Sequence, residues 1–201
     1  MAALVRADGW EGAVSTTWLY ADPHFFHESM LKFCPATRPF ANVGEMNHAM
    51  ASAWRTIVRP SDDIIVVGDF THRADPAESK KLFDSLPGKK HLVVGNHDGK
   101  DTLALPWTTI KDIAYVSIDS TRVVLCHYPL LTWPGSRNGA LQLYGHTHGR
   151  IRGNQQSADI GVDVMGIAPV RLNQVKAYMA TLPPRTDPEG VDDFENEVVK
   201  P

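Results

Sequence analysis

The sequence predicts an α/β chain with a layered core, built on one mixed sheet or two packed sheets. Three observations carry this reading. Short, wholly apolar runs have the length of buried strands, amphipathic segments with helix punctuation separate the first of them, and a later stretch holds several strands in a row. At 201 residues the chain is within the range of one domain.

The first strand is predicted over Thr16–Ala21, rich in β-branched and aromatic residues and ended by Asp22-Pro23. A helix follows over Val43–Val58, where Met46, Ala49, Met50, Ala53, Trp54 and Ile57 recur at three- and four-residue steps. That stripe is read as core, as in any packed amphipathic helix. Ile64–Val67 has the pattern of a strand covered on both faces and stops at Gly68-Asp69. Asp75-Pro76-Ala77-Glu78 supplies an N-cap, a proline at the first helical position and an acid at the third, opening a helix to about Leu86. His91–Val94 repeats the buried-strand pattern and stops at Gly95. Further strands are predicted near 113–118, 123–126, 141–144 and 160–164, and a last helix near 170–181. Residues 1–14 read as a lead-in, 15–182 as the domain and 183–201 as an acidic, mobile tail.

Composition narrows the function classes. With 43% hydrophobic and 21% charged residues, the chain is neither a disordered nor a disulfide-framework protein. The net charge of -3 arises in the tail: residues 184–201 carry six acids against Arg185 and Lys200, so the body is near neutral. No dense Lys/Arg run offers a stripe for long nucleic acid, which makes that partner less expected. No stretch reaches membrane-span length and the start lacks a signal-peptide pattern, so a cytoplasmic setting with no membrane partner is expected. Cys34 and Cys126 are read as reduced core thiols.

The chemistry gathers where strands end. The first ends at Asp22-Pro23-His24, the second at Gly68-Asp69, the third at Gly95-Asn96-His97-Asp98, a later one at Cys126-His127 and another at Gly145-His146-Thr147-His148. In layered α/β sheets ligands collect outside the carboxyl ends of strands, so these dispersed groups are expected to converge. Carboxylate, imidazole and amide donors without a cysteine suit an open catalytic site for manganese, iron, zinc or a similar divalent ion. Glycine ahead of Asp69, Asn96 and His146 leaves room for sharp turns.

These motifs, D-x-H, G-D, G-N-H-D, a lone H and G-H-x-H in that order, resemble the calcineurin-like metallophosphoesterases, and the likeness spans about 15–182. Arg38-Pro39-Phe40, with His24-Phe25 and Phe33 upstream, resembles a compact bacterial and phage branch of that family. The resemblance implies a layered α/β/β/α fold with two packed mixed β-sheets flanked by helices. It implies two divalent ions, manganese first, with iron, zinc or nickel as alternatives. Asp22, His24, Asp69 and His148 would hold one ion and Asp69, Asn96, His127 and His146 the other, with Asp69 bridging. It further implies in-line attack of a metal-bridging hydroxide on a small phosphomonoester or phosphodiester. His97 would protonate the leaving oxygen, and Asp98, grouped with it as catalytic, would orient that segment.

Arg38, Arg73 and Tyr128 are candidate substrate contacts, since guanidinium suits paired phosphate oxygens and Tyr128 adjoins His127. Arg137, Arg150, Arg152 and Trp133 are further candidates of the same kind, while His27, His48, His72 and His91 are read as structural or surface residues. Of these, His27 and His72 closely follow ligands and stay as supporting candidates. Gly68-Asp69-Phe70-Thr71-His72-Arg73 lacks the V-D-R-G continuation of the protein serine/threonine phosphatases, which weighs against that activity. A nuclease and a non-catalytic metal-binding scaffold are the alternatives. The sequence leaves the oligomeric state open.

Overall fold

The computed structural model describes residues 16–186, whose strands form two four-stranded sheets. The lead-in of residues 1–14 and the tail from residue 187 onward lie outside the described residues. Residues 183–186 stay against the body, where Pro183 O accepts from Gln155 N at 2.9 Å and the Arg185 guanidinium lies 4.8 Å from the Trp133 ring.

The first sheet is parallel throughout, in the order β1 (Thr17–Tyr20), β2 (Asp63–Val67), β3 (Lys89–Val93) and β4 (Thr109–Lys111). The second contains β5 (Ile113–Ile118), β6 (Thr121–Cys126), β7 (Leu141–Tyr144) and β8 (Ser157–Asp159), with β5 antiparallel to β6 and the others parallel. Helices are α1 (Met30–Phe33), α2 (Val43–Ile57), α3 (Pro76–Ser85), α4 (Lys100–Leu103), α5 (Val162–Met165) and α6 (Leu172–Met179). Parallel strands need crossovers, and α2 and α3 supply those between β1, β2 and β3. Both begin with side-chain caps. Asn42 accepts from Glu45 N, and Asp75 from Ala77 N and Glu78 N, which satisfies amides that a helix start leaves unpaired.

Alternation along the strands sorts the core into two layers. Leu19, Ile65, Val67 and Val93 face the second sheet and pack with Val116, Val123, Leu125, Leu143 and Ala158, joined by Leu172, Val175 and Met179 of α6. Tyr20, Ile64, Val66 and Leu92 face the other way, onto Met46, Met50 and Trp54 of α2 and Phe83 of α3. Trp54 is fully buried and donates from Nε1 to Pro87 O at 2.9 Å, so its polar atom is satisfied. Beyond the second sheet, Trp133 packs on Val124 and Ala140 and donates to Ala140 O, a core role in place of the pocket role its sequence position offered.

The strand expected over 160–164 is not formed. β8 ends at Asp159, whose carboxylate accepts from Gly161 N at 2.7 Å, and Val162–Met165 makes a helical turn. The apolar spacing there reflects two destinations, Ile160 in the inter-sheet core and Val162 in the helix-side core. Cys34 and Cys126 are both free thiols. Among the described residues no helix is long and apolar enough to cross a membrane.

Because β1, β2 and β3 are parallel, and β6, β7 and β8 likewise, their carboxyl ends lie at one edge of each sheet. The two edges meet at an isolated parallel bridge between Ala21 and Gly161, reinforced by Val162 N donating to Ala21 O at 3.0 Å. This seam sets the position of the candidate ligands.

Candidate metal centre

Seven sequence-predicted ligands arrive at the seam on turns, and five of them have left-handed backbone: Asp22 (φ 53°), His24 (φ 50°), Asp69 (φ 56°), His146 (φ 67°) and His148 (φ 49°). Non-glycine residues seldom adopt that region, and clusters of them mark places where the surrounding structure enforces a geometry. The enforcement is visible in the backbone. The Asp22–Phe25 turn lies along Asp69 and Phe70, with His24 N donating to Asp69 O and Phe25 N to Phe70 O, both at 2.9 Å.

Glycines clear the space behind the carboxylates. A Cβ on Gly95 would collide with Asp69, one on Gly145 with Asp22, and one on Gly68 with the His127 ring. Gly161, after β8, serves Asp22 in the same way. The centre is therefore a cradle that side chains at these positions would fill.

Three groups of donor atoms define its interior. Asp22, His24 and His148 converge within 4.8 Å of one another, as do Asp22, Asp69 and His127. Asn96 joins them, its Oδ1 lying 3.0 Å from His127 Nε2 and 2.9 Å from His146 Nδ1. Cys34 forms a third group with His148 and Asp163, but the Asp163 oxygens already accept from Arg38, Thr37 and His148.

The residues fit divalent cations on several grounds. His24 Nε2 is a buried nitrogen with no hydrogen-bond partner, resting 3.4 Å from Asp69 Oδ2 without the geometry of a bond. Burial pushes the His24 imidazole down to about 2, against the pull of Asp69, so the ring is neutral and its nitrogen free to ligate. His127 Nδ1 faces the carbonyl of Val67 at 3.1 Å, an acceptor, so it carries a proton. Its Nε2 meets two more acceptors, Asn96 Oδ1 and Asp69 Oδ2 at 3.4 Å. Burial opposes its charging, yet Asp69 and Asp22 raise it to about 9, so in the absence of a cation the ring holds a second proton where an ion would sit.

The carboxylates respond to the same crowding. Burial lifts Asp22 to about 7 despite His127 and His148, while for Asp69 burial is outweighed by His127, His24 and the His97 amide, which bring it to about 2. Asp69 is the central group, with Oδ1 accepting from His97 N at 2.8 Å and Oδ2 facing both His24 and His127.

His97 is half-buried at the mouth of a cavity of about 350 Å³ lined by His24, Asp69, Asn96, His146 and His148, among others. His27 and His72 stack at 3.9 Å, and the His72 ring meets His97 edge-on at 4.6 Å, so these two rings border the site. Burial, then His72 and His97, hold His27 down to about 4, which leaves it neutral. His91 is a structural histidine between Thr109 and Asp63, and His48 is exposed on α2.

Asp98 has the orienting role expected of it rather than a catalytic one: its carboxylate accepts from Asp69 N and Phe70 N at 2.9 Å and Gly95 N at 2.8 Å, so it is a positioning residue stapling two candidate ligand loops. Arg38 is not a substrate contact. Its guanidinium is 2% exposed, pairs with Asp163, and donates to Asp22 O at 2.7 Å and Pro23 O at 2.8 Å, bracing the first ligand turn. Tyr128 and Arg73 are exposed at the rim, the Tyr128 ring 4.7 Å from His146 and Arg73 on a cavity wall shared with His72 and His97.

Sequence reasoning missed two carboxylates. Asp159 accepts from Thr147 Oγ1, Gly149 N and Gly161 N, tying down the turn that carries His146 and His148. Asp163 accepts from His148 Nδ1 at 2.7 Å. The available signal was Asp159-Ile160-Gly161-Val162-Asp163 itself, two acids flanking a glycine after a strand.

A family model described as calcineurin-like phosphoesterase matches residues 15–159. The uncharacterized protein MJ1445 of Methanocaldococcus jannaschii is 26% identical over 166 residues, covering 79% of this chain and 88% of its own. The gene 66 protein of Mycobacterium phage L5 is 23% identical over 188 residues, covering 76% and 89%. The crystal structure of a protein of unknown function from Aquifex aeolicus, AQ665, superposes with a TM-score of 0.65 at 23% identity, over 82% of this chain and 99% of that one.

Proposed function

The chain belongs to the calcineurin-like phosphoesterase family, whose activity is metal-dependent hydrolysis of phosphoesters, and from that premise we propose that it cleaves small phosphomonoesters or phosphodiesters at a centre for two divalent ions. The observation that carries the reading is the convergence of carboxylate, imidazole and amide donors around Asp69, with a buried unpartnered nitrogen on His24. Asp22, His24, Asp69 and His148 would hold one ion, and Asp69, Asn96, His127 and His146 the other, manganese being the first choice. When bound, the ions supply an activated water and positive charge for the phosphoryl oxygens.

The chain's own groups do the rest. Asp69 keeps both halves of the site in register, since its oxygens face His24, His127 and the His97 amide. His97 stands at the cavity mouth, where its ring hands a proton to the departing oxygen. Tyr128 borders the opening. A near-neutral body favours small substrates over long nucleic acid, and two free thiols accord with a cytoplasmic setting.

The test is hydrolysis of an aryl phosphodiester and an aryl phosphomonoester by protein loaded with manganese, nickel, iron or zinc. Turnover that vanishes on chelation and returns with metal is the expected result. No turnover by protein shown to contain metal would leave the scaffold reading in its place, and salt-sensitive cleavage of DNA or RNA in preference to both esters would replace it with a nuclease.

A further inference from the structure

Resting on the hydrolytic reading, we propose that the cavity on the far side of His97 is a second anion subsite, which receives a phosphate carried by the leaving group. The substrate class then narrows to phosphoesters of an alcohol that itself bears a phosphate.

Two cavities of similar size meet at one wall. The cavity with the metal ligands, about 350 Å³, and its neighbour, about 370 Å³, share His72, Asn96 and His97. His97 thus stands between them, and it is the group positioned to protonate the departing oxygen. Hydrolysis breaks the bond from phosphorus to that oxygen, forms one from phosphorus to a water oxygen, and leaves the His97 proton on the released alcohol, while the proton shed by the water passes to solvent, from which His97 is reprotonated. An alcohol departing past His97 enters the neighbouring cavity.

The lining of that cavity selects an anion. Arg73 and Lys100 face it with the hydroxyl-bearing Thr71, Ser79 and Thr102, against a single carboxylate, Asp101. Among the described residues neither the Arg73 guanidinium nor the Lys100 ammonium has a carboxylate or hydrogen-bond partner, whereas Arg38 is fully engaged. Cations unpaired by the described residues can take a phosphate as counter-charge, and a guanidinium fork matches two phosphate oxygens at once. Arg73 also has left-handed backbone (φ 47°), an unfavourable conformation for a side-chain-bearing residue, with the preceding His72 N held to Phe25 O at 3.1 Å.

The experiment is isothermal titration of the metal-loaded full chain with linear alkanediol bisphosphates of two to six carbons, each beside the matching alkyl monophosphate. At least one length is expected to bind about tenfold more tightly than its monophosphate, the scale of one charge-assisted hydrogen bond. That ratio should fall to about one or two in Arg73→Gln/Lys100→Gln, both exposed positions, with the circular dichroism spectrum and melting temperature of the wild type. No preference at any length, or a preference that survives the double substitution, overturns the subsite. Failure of the hydrolytic reading has a different signature, the absence of both monophosphate binding and aryl ester turnover, and it would remove the subsite as well.

Discussion

His148 donates from Nδ1 to Asp163 at 2.7 Å, and Asp163 is in turn gripped by Arg38 at 2.8 Å. Burial would raise the Asp163 carboxyl, but His148 and Arg38 hold it well below the usual carboxylate range, so it is ionised and can only accept. Asp163 therefore places a proton of His148 on Nδ1, the arrangement that would direct Nε2 to a metal. Arg38 reaches on to the carbonyls of Asp22 and Pro23, so one ion pair orients ligands from both sheets.

Asp163→Ala should lower affinity for one ion of the pair by about ten- to a hundredfold, the usual consequence of losing a carboxylate behind a ligating imidazole. Metal content after dialysis, read by mass spectrometry, should fall from two ions toward one. Two ions retained at unchanged affinity would remove Asp163 from this role.

His97→Ala should keep the metal and slow turnover by about a hundredfold or more, since general acids contribute on that scale. The loss should grow as the leaving group becomes a poorer one. Equal losses for p-nitrophenyl and alkyl esters would show that His97 does not protonate the leaving oxygen.

Asp98→Ala leaves the amides of Asp69, Phe70 and Gly95 without their acceptor in a buried loop pair. A loss of about 2–4 kcal/mol in unfolding free energy is expected, from the cost of unsatisfied buried donors. Urea denaturation would measure it, and a change under half a kcal/mol would refute the staple.

Without metal, stability should decline as pH rises from about 7 to about 9. Burial raises Asp22 from 3.8 to about 7, and despite burial Asp69 raises His127 from 6.5 to about 9. Each bound proton favours the folded state, so the contributions are complete below the unfolded values and are lost as pH climbs through the folded ones. Asp69, at about 2, has the opposite sign and acts only in acid, and His24 and His27, which burial holds at about 2 and about 4, oppose the decline up to their unfolded value of 6.5. The melting temperature of chelator-treated protein should thus fall between about pH 7 and pH 9, above the range in which His24 and His27 act. A metal ion replaces those protons, so the loaded protein should gain most from metal at the alkaline end. A flat or rising curve above about pH 7 for the metal-free protein contradicts this balance.

Local signals were enough for much of this architecture. The stripe of Met46, Met50 and Trp54 became the buried face of α2, and Asp75 became the cap of α3 because proline and an acid follow it at helical positions. Ligand convergence was legible because each motif closes a strand, and parallel strands bring their ends to one edge. Arg38 was misread since its burial depends on Asp163, 125 residues further along the chain. Asp159 and Asp163 escaped for the same reason: a carboxylate that accepts from distant amides has no periodic signature. The 160–164 segment alternates like a strand while serving two different cores.

The chain completes its first sheet before beginning its second, passing between them at Asp112. Asp22, His24, Asp69 and Asn96 therefore belong to one contiguous half and His127, His146 and His148 to the other. A cation held across the seam would act as a reversible crosslink, closing loops of more than a hundred residues between Asp22 and His148 much as a disulfide does. Separation of the halves during unfolding would then have to release that tie, which would couple metal exchange to the lifetime of the folded chain.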